Sequence, residues 1–211
     1  GFTSMHEGDG IVLVMDNKHV TVKNSFIRSS DDGLVTGARS SDILWENNVV
    51  ASMRVHSIMV NAGNLTNYVA KNIYVINSNA YPGIRGTIGV YSASGLTDNV
   101  LFENIEIERT RYGSMMEVYP YSIWNHVTGS MSNITFKNVN YASNPYDFGS
   151  QIGGISETEY VDGVHFENVK VDGKLVTDSA SGNLSIGSHV KNVTFNGVAD
   201  SGILTLPTSI V

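Results

Sequence analysis

Cysteine is absent from the 211 residues, which excludes a disulfide framework, a thiolate metal site and a cysteine nucleophile. Proline is scarce, with four residues, and only 16% of the chain is charged. Thirteen basic residues stand against twenty acidic ones, and no Lys/Arg run could neutralise phosphates, so no nucleic-acid partner is expected. No stretch reaches the ~18 uncharged apolar residues of a membrane helix. No charged segment followed by an apolar one opens the chain at Gly1, so no signal peptide is read there. Helical periodicity is missing too: no ten-residue run carries apolar residues at i, i+3, i+4 and i+7 with a cap. The chain is nonetheless 41% hydrophobic, enough for a core and against disorder.

What recurs is a short alternating phrase that ends at asparagine. It reads His19-Val-Thr-Val-Lys-Asn24, Asp42-Ile-Leu-Trp-Glu-Asn47, Asn72-Ile-Tyr-Val-Ile-Asn77 and Asn99-Val-Leu-Phe-Glu-Asn104. It continues as Asn133-Ile-Thr-Phe-Lys-Asn138, Gly163-Val-His-Phe-Glu-Asn168 and Asn192-Val-Thr-Phe-Asn196. The closing asparagines are 23 to 34 residues apart. A repeat of that length made of short strands predicts a solenoid. Period-2 alternation puts Val20 with Val22, and Val100 with Phe102, on one face. Each unit needs its neighbours to bury that face, so strands of successive coils pair in parallel. The asparagine sits at the bend, where it can turn left-handed and bond its equivalents in adjacent coils. The expected fold is all-β: a parallel β-helix of about seven or eight coils, one domain over 1–211. A β-sandwich also has many short strands, but it gives no reason for one phrase to return. The stretches from Tyr112 to Asn133 and from Asn144 to Gly163 are expected to lengthen their coils as insertions.

With each asparagine as a ruler, Asp31 and Asp32 fall seven and eight residues after Asn24, and His56 nine after Asn47. Arg85 falls eight after Asn77, and Tyr112 eight after Asn104. Equal offsets in a solenoid stack on one side, and Asp9 lies one coil ahead of Asp31. Alone, Asp31-Asp32-Gly33 is a solvated turn, His56 a structural histidine and Arg85 a loop cation. Their shared offset points to a site. Carboxylates on adjacent coils suit glycoside hydrolysis, which needs a protonated acid at the leaving oxygen and a second carboxylate for water or the anomeric carbon. Crowded like charges push one pKa up. His56 is placed to tune that proton. Arg85 and Tyr112 are placed to hold substrate, and Glu117, Tyr119, Tyr121 and Trp124 to line a sugar groove or to pack as an insertion. No cofactor is expected, and no residue is assigned to a metal.

These residues resemble polygalacturonase-type glycoside hydrolases of the pectin-lyase-like β-helix class, with dextranase-type and α-1,3-glucanase-type relatives similar in their carboxylate triad. The resemblance runs from Glu7 to about Asn138, through Glu7-Gly8-Asp9-Gly10, Ser30-Asp31-Asp32-Gly33, Val55-His56-Ser57, Arg85-Gly86-Thr87 and Tyr112-Gly113. It implies a right-handed β-helix that hydrolyses a polysaccharide with inversion. Asp31 is then the general acid, Asp9 and Asp32 hold and activate water, His56 assists the acid, and Arg85 binds substrate. Thr87 stands where pectin-cleaving members carry a lysine, so Thr87 at the substrate leaves a neutral α-glucan or a modified pectin as the polymer. The resemblance also implies secretion or a periplasmic location. It implies further N-terminal coils and a cap, so 1–211 reads as the C-terminal catalytic part of a longer β-helix completed by a missing segment or a second chain. Two alternatives stay open on the same residues: a polysaccharide lyase, and a noncatalytic glycan-binding β-helix.

Overall fold

The structure, a computed structural model, describes residues 8–76, 86–92, 94–109, 113–121 and 128–200. Among them there is no helix, and the strands lie in two sheets dominated by parallel pairing. The first sheet holds Ile11–Met15, Leu34–Ala38, Ile58–Ala62, Gly86–Ser92, Ser114–Tyr119, Ser150–Ile152 and Leu184–Ile186, in that spatial order. The second runs Lys18–Lys23, Ser41–Glu46, Leu65–Val75, Gly95–Ile107, Gly129–Tyr141, Val161–Glu167 and Val190–Phe195. The chain therefore visits the two sheets in turn, and each visit lands beside the previous one.

The asparagines explain how the chain turns at the same place each time. Asn24, Asn47, Asn72, Asn104, Asn138, Asn168 and Asn196 all have φ between 50° and 54° or 55°, a left-handed backbone that asparagine tolerates better than most residues. Their amides form a ladder: Asn47 donates to Asn24 at 3.3 Å, Asn72 to Asn47, Asn104 to Asn72, Asn138 to Asn104 and Asn168 to Asn138, the last four at 2.9 Å. At the far end Asn168 N–H donates to Asn196 Oδ1 at 2.9 Å. The ladder member of the third repeat is Asn72, whereas the phrase ending at Asn77 was expected to supply it. Ile73 pairs with Ile105, so Ile73–Val75 is the stretch after the bend. The true phrase is Asn67-Tyr-Val-Ala-Lys-Asn72, which hides because Ala70 stands in the aromatic place.

That aromatic place forms the spine of the core. Val22, Trp45, Ala70, Phe102, Phe136, Phe166 and Phe195 are successive partners in the second sheet. Phe102, Phe136, Phe166 and Phe195 stack with centroids 5.1, 5.4 and 4.9 Å apart, close to the ~4.8 Å strand spacing that sets their separation. Leu34, Ile58, Ile88, Met116 and Ile152 of the first sheet face them as fully buried residues of one cluster. Ser114–Tyr119 belongs to this regular sheet, with Met115 and Met116 buried, so the expected insertion between Tyr112 and Asn133 does not begin until after Tyr119.

Candidate functional site

The paired residues Ile11, Leu34 and Ile58 each have a polar residue two places earlier: Asp9, Asp32 and His56. The backbone ladder continues into these leading turns, with Gly10 N–H donating to Asp32 O and Gly33 N–H to His56 O, both at 2.8 Å. Strand spacing of ~4.8 Å therefore sets the three side by side at one end of the first sheet. Asp31, half-buried, is held by its own backbone: its carbonyl accepts from Ser29 Oγ at 3.0 Å and Ser52 Oγ at 2.6 Å. One carboxylate oxygen from each of Asp9, Asp31 and Asp32 lies within 4.8 Å of the others.

Asp32 is the fixed member. It is 5% exposed, and its Oδ1 takes both the backbone N–H and Nδ1 of His56 at 2.9 Å each. Its own N–H donates to Asp9 Oδ1 at 3.3 Å. Asp9 is largely open to solvent, but its carboxyl is pushed above its ordinary range, first by desolvation against its neighbours and then by the Asp32 charge. The Asp32 N–H offsets part of this. The three oxygens could converge on a cation. Asp32 Oδ1 is already engaged by two N–H donors of His56.

His56 is fully buried. Its Nε2 meets Tyr91 Oη at 2.9 Å, and the two rings make a T-shaped contact at 5.5 Å. The Tyr91 hydroxyl in turn donates to Glu117 Oε2 at 2.7 Å. Gly89 is the floor under the imidazole: a Cβ there would lie 2.6 Å from His56 Cδ2 and 2.8 Å from Nε2. Val35, Met59, Tyr91 and Tyr119 pack together as a small apolar cluster, and the Tyr119 hydroxyl donates to Gln151 Oε1 at 2.7 Å.

The structure thus brings Asp9, Asp31, Asp32, His56 and Glu117 into one neighbourhood. Thr87 departs from its expected role at the substrate. It holds the register place of Gly33 and Ser57, where a Gly33 Cβ would run into core Val50. Thr87 is buried, and its hydroxyl donates to Ser114 O at 3.2 Å. Arg85, Tyr112, Trp124 and Asn77 lie outside the described residues. Counted from Asn72, moreover, Arg85 no longer shares the offset of Asp32 and His56. Sequence counting also passed over Tyr91 and Gly89. Their signal was the alternation Gly89-Val90-Tyr91, which puts a bare backbone and an aromatic ring on one outward face. No family model matches the chain, and no curated protein or solved structure matches it.

Proposed function

We propose that the chain is a right-handed parallel β-helix that hydrolyses a polysaccharide, with the Asp9–Asp31–Asp32 cluster as its catalytic centre. The observation that carries this reading is the set of three carboxylates within 4.8 Å, one of them buried and clamped by His56. Asp32, locked as an acceptor, and Asp9 hold the attacking water between them. Asp9, whose proton affinity is raised, acts as the base, because a base works best with a pKa near the working pH. Asp31 delivers the proton to the leaving oxygen. A polymer substrate places the enzyme outside the cytoplasm.

A second feature supports a long substrate. Tyr146 and Phe148, two residues apart, are 58% and 59% exposed. Their loop is tied down by Tyr146 N–H on Asn144 Oδ1, Gly149 N–H on Asp147 Oδ1, both at 2.8 Å, and Asn144 Nδ2 on Gly113 O at 3.0 Å. Phe148 precedes Gln151 by three residues, as Ser114 precedes its partner Glu117, and Ser114 pairs with Gly86. At ~4.8 Å per strand, Phe148 is about 14 Å along the sheet from His56. A held ring at that distance suits the apolar face of a sugar a few units from the cleaved bond.

Reducing-end release from dextran, α-1,3-glucan and polygalacturonate tests the reading, with Asp31→Asn and Asp32→Asn as controls. Turnover lost in both variants is expected. The carboxylate oxygens are closer than the ~6.5–9.5 Å between carboxyl groups usual for inversion, so the first-formed anomer matters. The resemblance to inverting hydrolases calls for an inverted product, whereas the short separation is nearer the ~5–5.5 Å of retaining enzymes; a retained product would make one of the aspartates a nucleophile and overturn inversion. An unsaturated, ultraviolet-absorbing product, or binding without turnover, would overturn hydrolysis.

A further inference from the structure

Four side chains stand in line: Asp32, His56, Tyr91 and Glu117. Three contacts join them: Asp32 Oδ1 to His56 Nδ1 at 2.9 Å, His56 Nε2 to Tyr91 Oη at 2.9 Å, and Tyr91 Oη to Glu117 Oε2 at 2.7 Å. Each contact is a hydrogen bond only if one proton lies between its two heavy atoms. Ionised carboxylates bring none, the phenol brings one and a neutral imidazole brings one. Two protons cannot serve three contacts, and the contact left over would set lone pair against lone pair inside 3 Å. All three bonds form only with a third proton on the line.

The surroundings say where that proton rests. Asp32 Oδ1 already accepts the His56 backbone N–H, so this oxygen stands at its end of the line as an acceptor. Glu117 is only half-buried, so water can help to solvate its charge. Asp32 faces the imidazole on one side, with Asp9 behind it, and Tyr91 faces it on the other, with Glu117 beyond. Among the described residues packed here, Val35 and Met59 add no charge, and Gly89 offers only backbone. A protonated imidazole between two carboxylates alternates the charges along the line.

We propose that Tyr91 and Glu117 are positioning residues that hold this third proton, so that His56 carries hydrogen on both ring nitrogens and Asp32 stays an anion beside Asp9. The meaning of this for turnover rests on the hydrolase reading; the proton count does not. Releasing the proton must break one of the three bonds, which couples the protonation of the line to the placement of Asp32.

The test reads the imidazole directly. The full chain, labelled with ¹⁵N-histidine, is examined by long-range ¹H–¹⁵N correlation from pH 5 to 8, with His56→Gln to assign the resonances. Both His56 nitrogens are expected at imidazolium positions, with two slowly exchanging ring protons, at neutral pH. Glu117→Gln supplies its own N–H to the Tyr91 oxygen, so two other protons then complete the line. That variant is expected to show a neutral imidazole with hydrogen on Nδ1 alone, the fold being kept. Tyr91→Phe removes the Nε2 partner and is expected to move His56 the same way. A wild-type His56 with one ring proton overturns the proposal, as does an imidazolium signature that survives Glu117→Gln. Because no turnover is read, loss of the hydrolase reading and loss of this one are separate results. If the protein is active, Glu117→Gln is further expected to shift the pH profile of kcat/KM, and Glu117→Asp to restore part of it.

Discussion

His56 grips Asp32 twice. Its backbone N–H and its Nδ1 reach the same carboxylate oxygen, each at 2.9 Å, across two strands that pair as parallel neighbours. Truncating the imidazole leaves a nearly buried carboxylate with one donor fewer. Leaving a buried hydrogen-bond acceptor without one of its donors costs about 1–3 kcal/mol. His56→Ala is therefore expected to lower the urea midpoint and to abolish turnover, while His56→Gln, which can still donate, loses less stability. Equal stability of His56→Ala and wild type in urea would remove this picture of the site.

The asparagine ladder makes a graded prediction. Asn104 sits at φ 55° and bonds both Asn72 and Asn138. Alanine there suffers a left-handed penalty of about 1–2 kcal/mol and loses two exposed amide bonds. Glycine loses the bonds but not the backbone freedom. Asn104→Ala is expected to unfold at lower denaturant than Asn104→Gly, with both below wild type. The reverse order would mean that the bend does not impose the backbone angle.

Tyr68 is buried in the core beside Phe102, with centroids 5.7 Å apart, and its hydroxyl has no hydrogen-bond partner among the described residues. Burial pushes that phenol upward. A buried polar atom left unpaired costs about 1–3 kcal/mol, so Tyr68→Phe is expected to raise the melting temperature. A lower value would mean that the hydroxyl meets something in solution.

Asp9 gives a pH dependence whose sign is fixed. Its carboxyl in the folded chain lies above the 3.8 of an ordinary aspartate, so the folded state binds this proton more tightly than the unfolded state. That contribution to stability is complete below pH 3.8 and disappears as the pH rises through the folded value. At neutral pH the Asp9 charge weakens the fold slightly. Asp9→Asn is expected to melt a little higher than wild type at pH 7 and to lose that advantage at pH 3, while also losing turnover. The acidic limb of kcat/KM in the wild type is expected above pH 3.8.

Phe148→Ala is expected to raise KM several-fold on long oligosaccharides and to leave di- and trisaccharide kinetics nearly unchanged, because the ring lies some strands from the cleaved bond. A uniform loss across chain lengths would assign Phe148 to the stability of its loop.

Much of this was written in the residue order. The recurring Val-x-Phe-x-Asn phrase gave the parallel pairing, the aromatic spine and the left-handed bends, because each depends on the type of one residue at one spacing. Asn72 was misread because Ala70 breaks the phrase where Tyr68 fills the space instead. Asp9, Asp32 and His56 were legible by counting, since few residues separate the bend from the strand start. Thr87 was not, because whether a side chain at a sheet corner points inward depends on the arch between strands. Tyr91 and Gly89 were invisible to counting for another reason: their role comes from contact across three strands far apart in sequence.

Between successive ladder asparagines the chain takes 23, 25, 32, 34, 30 and then 28 residues, yet the spine never slips register. Differences in the length of the connecting arcs leave the pairing of ladder and spine unchanged, much as shelves of different depth hang from one upright. Grafting a longer arc beside the cluster is thus a practical way to redesign its grip on a polymer.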